Sequence, residues 1–471
     1  ALCRRFPNVD AAICRDVFES CGQDIQLAVS TLQELGFVPQ DAPSSESPPQ
    51  AGSVAVPLPV TSPEQYFEFS LLPNGHCDVA CQPLLQLLKS RERFNNEPEL
   101  TFFRPPELEA VLAPQRDRCH AVWRREATMT KLELKAVGCF LGLAVGDALG
   151  APVEFEALQY GGTPAVSDMG TPGVRRGRFQ LLPGQFTDDT SMALCLADSL
   201  LLRGGLDCVD LMLRFVAWWN CGYNNAFAQD KEKKTPWERR SVGLGGTIGG
   251  ALDGFVASGA PATTCGTERS SGNGSLMRLA PVAIRHCRDP GHAMEVAARQ
   301  SRTTHRGNEA AEACRLLTYI LTRLMHDDKE DHGRSVLSDL SCFSSVEPSV
   351  KALAMGERVS DAADWRWRSA EFRYCTERAE SSPDYIGSFA LDALAMSLHC
   401  VWTTQSLSAA LLKAANLRGD ADTVAAITGQ LAGAMYGVDG METSWREAVE
   451  QWDGGGDVAA RALALLSPAT S

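Results

Sequence analysis

The sequence predicts an all-α protein dominated by one large helical bundle. Three observations carry that prediction. From about residue 130 onward, apolar residues recur in Ala/Leu-rich runs with helical spacing. Segments that alternate apolar and polar residues, as half-buried strands do, are nearly absent. The glycines gather between the runs, where loops belong.

The chain of 471 residues is too long for one ordinary core, so two or more domains are expected. Apolar content of 44% and charged content of 22% are those of a globular protein. A formal net charge of -14 and a pI near 5.1 argue against a nucleic-acid partner, which needs a basic surface. They leave room for a local anion pocket. The 16 cysteines include no CxxC pair, which disfavours a zinc ribbon and predicts mostly free thiols in a reducing compartment. An intracellular setting, cytoplasmic or nuclear, follows as an expectation. No apolar run reads as long enough to cross a bilayer, and ALCRRFPNVDAAICRDVF lacks the apolar region of a signal peptide, so no membrane partner is expected.

Residues 1–38 read as a small helical unit. Val9, Ile13 and Val17 share one helix face. Asp24 can cap a second helix that turns Ile25, Ala28, Val29 and Leu32 inward, and Gly36 supplies the stop. Residues 39–61 are rich in Pro, Ser and Ala and read as a flexible linker. Residues 62–125 show two amphipathic stretches, QPLLQLLKSRERF and PPELEAVLA, of unknown role. They fit a separate helical module or an N-terminal extension packed on the next domain.

A helical domain is expected over 126–468, about 340 residues and above the common size. Its predicted helices are 132–149, 190–203, 209–219, 291–299, 309–325, 386–401, 406–415 and 422–436. Residues 326–382 are more polar and predict an excursion from the core.

Two acidic junctions stand out. In GQFTDDTSMALCLADSLL, residues 184–201, Thr187, Asp188 and Asp189 lie between a Gly-containing loop and an apolar helix. In NLRGDADTVAAITGQLAGAMYG, residues 416–437, Asp420, Asp422 and Thr423 repeat that grammar. Gly429, Gly433 and Gly437 then leave a bare stripe where another helix can pack closely. Adjacent carboxylates raise each other's pKa unless something positive lies between them. Brought together, the junctions would offer four carboxylates and two hydroxyls, with no His or Cys. Such hard oxygen donors suit Mg²⁺ or Mn²⁺ rather than Zn²⁺, and four carboxylates balance two divalent ions. Either junction alone is equally well a helix N-cap, where Asp and Thr are favoured.

Four weaker signals accompany them. GLAVGDALGAPVEF, residues 142–155, ends a Gly/Ala-rich helix and places Glu154 in a loop. SSGNGSLMRLAPVA, residues 270–283, has Gly272, Asn273, Gly274 and Ser275 opening a helix, where backbone N–H groups can cradle a phosphate. SRTTHRGNEAAEA, residues 301–313, puts His305 before a helix. VGLGGTIGGAL, residues 242–252, is a further Gly-rich helix start.

Taken in order, GDALGAPVEF, FTDDT, GNGSLMR, THRGNEA and GDADTVAAITGQLAGAMYG resemble the ADP-ribosylglycohydrolase family, which includes the dinitrogenase reductase-activating glycohydrolases. The resemblance covers about 130–440. It implies an all-α orthogonal bundle with a binuclear Mg²⁺ site in a cleft. It also implies hydrolysis of the glycosidic bond joining ADP-ribose to a protein side chain. Carried over, the metal ligands are Thr187, Asp188, Asp189, Asp420, Asp422 and Thr423. Glu154 handles a proton or orients the ribose. Gly272, Asn273, Gly274 and Ser275 contact the diphosphate and nearby ribose, and His305 lines the same pocket. Two positions depart from the pattern. Ser271 stands where some relatives carry an adenine-stacking aromatic residue. Arg418 replaces the first of two glycines, where it can pair with Asp420 or reach substrate phosphate.

Residues 1–38 resemble a CUE or related ubiquitin-associated module. Phe6-Pro7 matches its Met-Phe-Pro, with Arg5 in place of Met, and Leu32-Gln33 stands where a di-leucine is common. This implies ubiquitin as a partner beside the ADP-ribosylated substrate. Two other functions remain open on the sequence: a non-catalytic binder of ADP-ribose or ubiquitin, and a hydrolase of another ADP-ribose derivative.

Overall fold

The computed structural model describes residues 103–467 apart from 160, 162, 236, 268–269, 361–362 and 374–383. The predicted module over 1–38, the linker and the helix at 82–94 lie outside the described residues. Fifteen α-helices and one two-stranded antiparallel hairpin make up the described fold. In chain order the first helices are α1 (Pro106–Trp123), α2 (Lys131–Gly150), α3 (Asp188–Arg203), α4 (Cys208–Cys221) and α5 (Gly246–Ser258). Next come α6 (Ala280–Arg285), α7 (Pro290–Ser301), α8 (Asn308–His326), α9 (Arg334–Ser338) and α10 (Pro348–Met355). The hairpin of β1 (Arg358–Ser360) and β2 (Ala363–Asp364) precedes α11 (Ala390–Trp402). The chain closes with α12 (Leu407–Ala415), α13 (Ala421–Tyr436), α14 (Thr443–Glu450) and α15 (Asp457–Leu466).

The central pair is α2 and α13, each almost wholly buried. A capping box starts α2: the Thr130 hydroxyl accepts from the Glu133 N–H at 3.3 Å, and the Glu133 carboxylate accepts from the Thr130 N–H at 2.8 Å. The predicted glycine stripe of α13 meets a second stripe on α2. A Cβ on Gly429 would sit 1.9 Å from the Gly142 carbonyl oxygen, and one on Gly433 would sit 1.9 Å from that of Gly138. Farther along, a Cβ on Gly150 would sit 2.3 Å from the Ala421 oxygen. The two helices therefore run antiparallel with backbones touching. That brings the end of α2 beside the start of α13. Gly429→Ala is expected to cost about 3 kcal/mol, the upper part of the overpacking range, because backbone rather than a mobile side chain must yield. Thermal melting checks this against Gly254→Ala on α5, where nothing lies within 4 Å. Equal melting of Gly429→Ala and wild type would refute the backbone contact.

Several expectations are corrected. The helix Lys131–Val153 is long and apolar enough to cross a bilayer, contrary to the sequence reading, but 94% of its apolar stretch is buried inside the protein. Its apolar character on all sides is explained by burial among α13, α15 and α8. The described part of 326–382 is no excursion, since Leu353, Trp365 and Trp367 belong to the main core. Its polar surface residues masked these widely spaced anchors. The helix predicted from 386 begins at Ala390, and 386–389 form a loop with Gly387 at φ +97. Residues 273–278 form a turn, and α6 starts only at Ala280, with Pro281 in its first turn. The stretch PPELEAVLA is helical, as expected. It starts α1, which packs Leu108 and Leu112 on Ala460 and Ala464 of α15. The ten described cysteines are free thiols.

Candidate active site

Three chain segments converge where α2 ends and α3 and α13 begin. Asp147, one turn from the end of α2, is fully buried and reaches across to α3. Its carboxylate accepts from the Thr187 N–H at 2.9 Å, the Thr190 N–H at 3.0 Å, and both hydroxyls at 2.8 and 2.7 Å. Thr187 caps α3 by position but makes no side-chain cap bond, so Asp147 satisfies the free amides from another helix. This sets the direction of Asp188 and Asp189.

Two acidic groups result. One oxygen each from Asp147, Asp189 and Asp422 lies within 4.8 Å of the others, and the same holds for Glu154, Asp420 and Asp422. Asp422 belongs to both. The Thr187 hydroxyl oxygen, its proton directed to Asp147, lies 3.3 Å from Asp422, and the Thr423 hydroxyl donates to Asp189 at 3.5 Å. Asn273 ties the loop before α6 to the cluster, donating to Asp420 and to the Gly387 carbonyl, each at 2.8 Å. Gly243, at φ +90, lies against Asp188; a Cβ there would be 1.9 Å from its carboxylate oxygen. The Gly-rich stretch 242–252 thus borders the site.

Burial together with crowding holds these acids far from their ordinary state. Burial pushes Asp188, Asp189 and Asp422 well above the usual carboxylate range, and neighbouring carboxylates push them further. Glu154 is raised well above its usual value by burial, then by Asp422, Asp420 and Asp188. Glu154 and Asp422 thus share a crowded, buried position in which both carboxyls are raised. Glu154 Oε2 and Asp189 Oδ1 are buried with no hydrogen-bond partner. Among the described residues no cation forms an ion pair with the cluster; the buried Arg278 acts on Asp188 only at longer range. Orphaned buried oxygens and an all-oxygen donor set fit a hard divalent cation.

The backbone around Glu154 is pinned and strained. Phe155 has φ +66, a costly conformation for a bulky residue, and its N–H donates to the Gly419 carbonyl at 2.9 Å. Gly419 donates back to the Glu156 carbonyl at 2.8 Å. The Phe155 ring is held edge-on by Phe179 and Tyr385 and lies under the Arg178 guanidinium. Arg418 has φ +63, which explains why glycine suits that position, and it pairs with Glu156 at 3.1 Å rather than with Asp420.

The loop 272–275 lies beside Asp420, as the Asn273 bond shows, but its groups differ in role. Gly272 pairs with Phe389 in an isolated antiparallel bridge, and the Asn273 N–H donates to Ser388. The Ser275 hydroxyl points into the core, bonding Ser301 at 2.8 Å, so this residue can offer the cleft only backbone. His305 is buried against Gly272 and Gly274. Its Nδ1 contacts the Thr304 hydroxyl, which accepts from Arg278 at 2.8 Å. Arginine cannot accept, so the buried hydroxyl's own proton goes to Nδ1, and Nε2 carries the ring proton towards the loop. Burial, aided by Arg278, pushes His305 down to about 3 and keeps it neutral.

Sequence reasoning missed Asp147, Gly243, Phe155 and Phe389. Asp147 carried a signal: it is the one carboxylate in the apolar stretch 136–153, and an isolated buried charge needs a reason. Phe389, 47% exposed beside Gly272, carried none, because only the folded loop brings it there.

An all-α bundle with a buried oxygen-donor cluster at the meeting of three helix ends places this chain among helical proteins whose site could hold a hard metal ion. The sequence pattern of the ADP-ribosylglycohydrolase family matches residues 128–470, and the chain belongs to that family, whose enzymes hydrolyse ADP-ribose linkages. It is 33% identical over 316 residues to the ADP-ribosylarginine hydrolase Tri1 of Pseudomonas putida, covering 67% of this chain and 74% of that protein. It is 30% identical to the ADP-ribosyl-[dinitrogen reductase] glycohydrolase of Rhodospirillum rubrum, covering 66% of this chain and 88% of the other. A solved structure titled an ADP-ribosylglycohydrolase-related protein complex superposes with TM-score 0.56 at 32% identity, over 73% of this chain and all of that one.

Proposed function

We propose that this protein hydrolyses the glycosidic bond between ADP-ribose and a modified protein side chain, using two Mg²⁺ ions that Mn²⁺ can replace. The observation that carries the reading is the meeting of two acidic triads through Asp422 beside the Asn273 loop. Thr187, Asp188, Asp189, Asp420, Asp422 and Thr423 are the proposed ligands. Divalent ions held by these ligands would supply charge stabilisation and activate a water. The chain's own groups do the rest. Glu154, whose carboxyl is raised well above its usual pKa by burial and by neighbouring carboxylates, holds or delivers a proton at a carboxyl whose Oε2 has no partner among the described residues. Asn273 orients Asp420 and fixes the loop that receives the diphosphate. His305 backs that loop as a neutral ring. Phe389 and Tyr385 offer exposed aromatic surface near the loop, which suits an adenine ring and answers for Ser271.

Arginine is the first acceptor to test, because the Pseudomonas putida relative is named for ADP-ribosylarginine. A ubiquitin-directed role through residues 1–38 rests on the Phe6-Pro7 pattern, and action in the cytoplasm or nucleus rests on the free thiols. The deciding experiment measures free ADP-ribose released from arginine-, serine- and ubiquitin-linked conjugates, with Mg²⁺ and with EDTA. Release that EDTA suppresses is expected, strongest for one linkage. A folded, Mg²⁺-loaded protein that releases nothing would instead be a binder.

A further inference from the structure

Three arginines are wholly buried among the described residues, and one differs from the other two. Arg214 pairs with Asp210 at 2.7 Å, and Arg461 pairs with Asp198 at 2.7 Å. Arg278 has only neutral hydrogen-bond partners among the described residues. Its Nε donates to Gln300 Oε1 at 2.9 Å, and its Nη2 donates to the Gln300 carbonyl at 3.1 Å and the Thr304 hydroxyl at 2.8 Å. Its Nη1 is buried with no hydrogen-bond partner. The guanidinium lies over the Phe215 ring, 4.6 Å from its centre. The Cys195 and Cys314 thiols, whose ionisation would help it, are kept neutral by burial. Burial pushes Arg278 down to about 9, so it stays charged at neutral pH.

A buried charge without an opposite charge is costly, and neutral partners with one aromatic ring offset only part of that cost. Packing does not call for it, since an apolar side chain of similar volume fills a core position at least as well. The guanidinium serves one place instead, the loop 272–275, which ends three residues before it. Both residues that Arg278 holds reach that loop. Gln300, fixed through its Oε1, donates from Nε2 to the Ser275 carbonyl at 3.0 Å. Thr304 accepts from Arg278, so its own proton goes to His305 Nδ1 at 2.9 Å, and the His305 ring lies against Gly272 and Gly274. One planar fork therefore sets both supports of the loop. It also leaves an unmatched positive charge one side chain away from the loop. An anion resting on the loop would supply the missing negative charge.

We propose that Arg278 is a positioning residue for a diphosphate on the loop 272–275: it holds the loop's two supports and supplies the positive charge that the diphosphate matches. The inference rests on the reading of that loop as the diphosphate contact of an ADP-ribosyl hydrolase. The diphosphate is remote from the scissile bond, so its binding is shared by ground and transition states, and weakening it raises KM more than it lowers kcat. The test is calorimetric titration of the Mg²⁺-loaded full chain with ADP-ribose, together with kcat and KM on the conjugate that wild type cleaves best. Arg278→Gln is expected to weaken ADP-ribose about tenfold or more, the scale of one hydrogen bond to a charged group, and to raise KM by a similar factor with kcat nearly unchanged. Arg278→Lys keeps the charge and loses the fork, and should recover part of that affinity. Gln300→Glu keeps the arginine and gives it a carboxylate. It should still weaken ADP-ribose without lowering the melting temperature, and it serves if Arg278→Gln melts early. ADP-ribose bound as tightly by folded Arg278→Gln, or by Gln300→Glu, as by wild type overturns the proposal and leaves the hydrolase reading standing. A fall in kcat at unchanged KM, or Arg278→Lys no better than Arg278→Gln, overturns it too, because a packing role alone gives that result. Wild type that binds ADP-ribose but releases none counts against the hydrolase alone, and wild type that binds none overturns both.

Discussion

Asp422→Asn is expected to reduce ADP-ribose release by about 10³-fold, the scale on which removal of a central electrostatic group acts, while raising the melting temperature of the metal-free protein. The two effects share one cause. Asp422 is the carboxylate common to both acidic triads, so no other single ligand touches as much of the cluster. Without a cation, its charge pushes up Glu154, Asp188 and Asp189. Asparagine keeps the size and the oxygen that accepts from the Thr423 N–H at 2.8 Å, but removes that repulsion. Function is thereby separated from folding. Activity within tenfold of wild type would remove Asp422 from the site. A lower metal-free melting temperature would show that the cluster is not strained by its own charge.

The stabilisation conferred by Mg²⁺ is expected to grow from pH 5 to pH 8. The direction of the shifts sets the sign. Asp188, Asp189, Asp422 and Glu154 have folded-state pKa values well above their ordinary ones. The native metal-free state therefore binds more protons than the unfolded chain. Its stability from these groups is fully present below the ordinary carboxylate pKa of about 4 and is lost as pH rises through the raised values. Mg²⁺ needs the same oxygens deprotonated, so protons compete with it less as pH rises. At a hundredfold excess over Kd a ligand contributes about 2.7 kcal/mol. Melting curves with Mg²⁺ and with EDTA across that range measure the difference. A Mg²⁺ increment that is flat or falls with pH would exclude these carboxylates as its ligands.

Much of the site was legible because its parts are local. Thr187, Asp188 and Asp189 precede one apolar helix, and Asp420, Asp422 and Thr423 begin another, so position on a helix end could be read without knowing the fold. The stripe of Gly429 and Gly433 announced a close partner in the same way, since helical spacing is a property of one segment. The partner itself, Gly138 and Gly142 on α2, was not legible. Glycine in an apolar helix shows no preference among the helices it could face. The role of Asp147 was not legible for a related reason, since its five bonds, from four donor groups, come from residues 40 and 43 positions away. The composition of 386–389 continues that of α11, but in the fold Asn273 and Asp420 bond its carbonyls and Phe389 bridges Gly272.

The sequence by itself determined the all-α class, most of the long helices of the domain, the hard-oxygen character of the site and the family. These rest on residue type and short-range spacing, which the chain carries whether or not it is folded. Tertiary structure alone decided that two acidic triads, drawn from segments more than 200 residues apart, share Asp422 as a common member, and that Asp147 caps a helix other than its own. Each of these depends on which helix packs against which. That choice is made by backbone contact along the α2–α13 seam, where the absence of side chains lets two helix ends approach closely enough to crowd their charges.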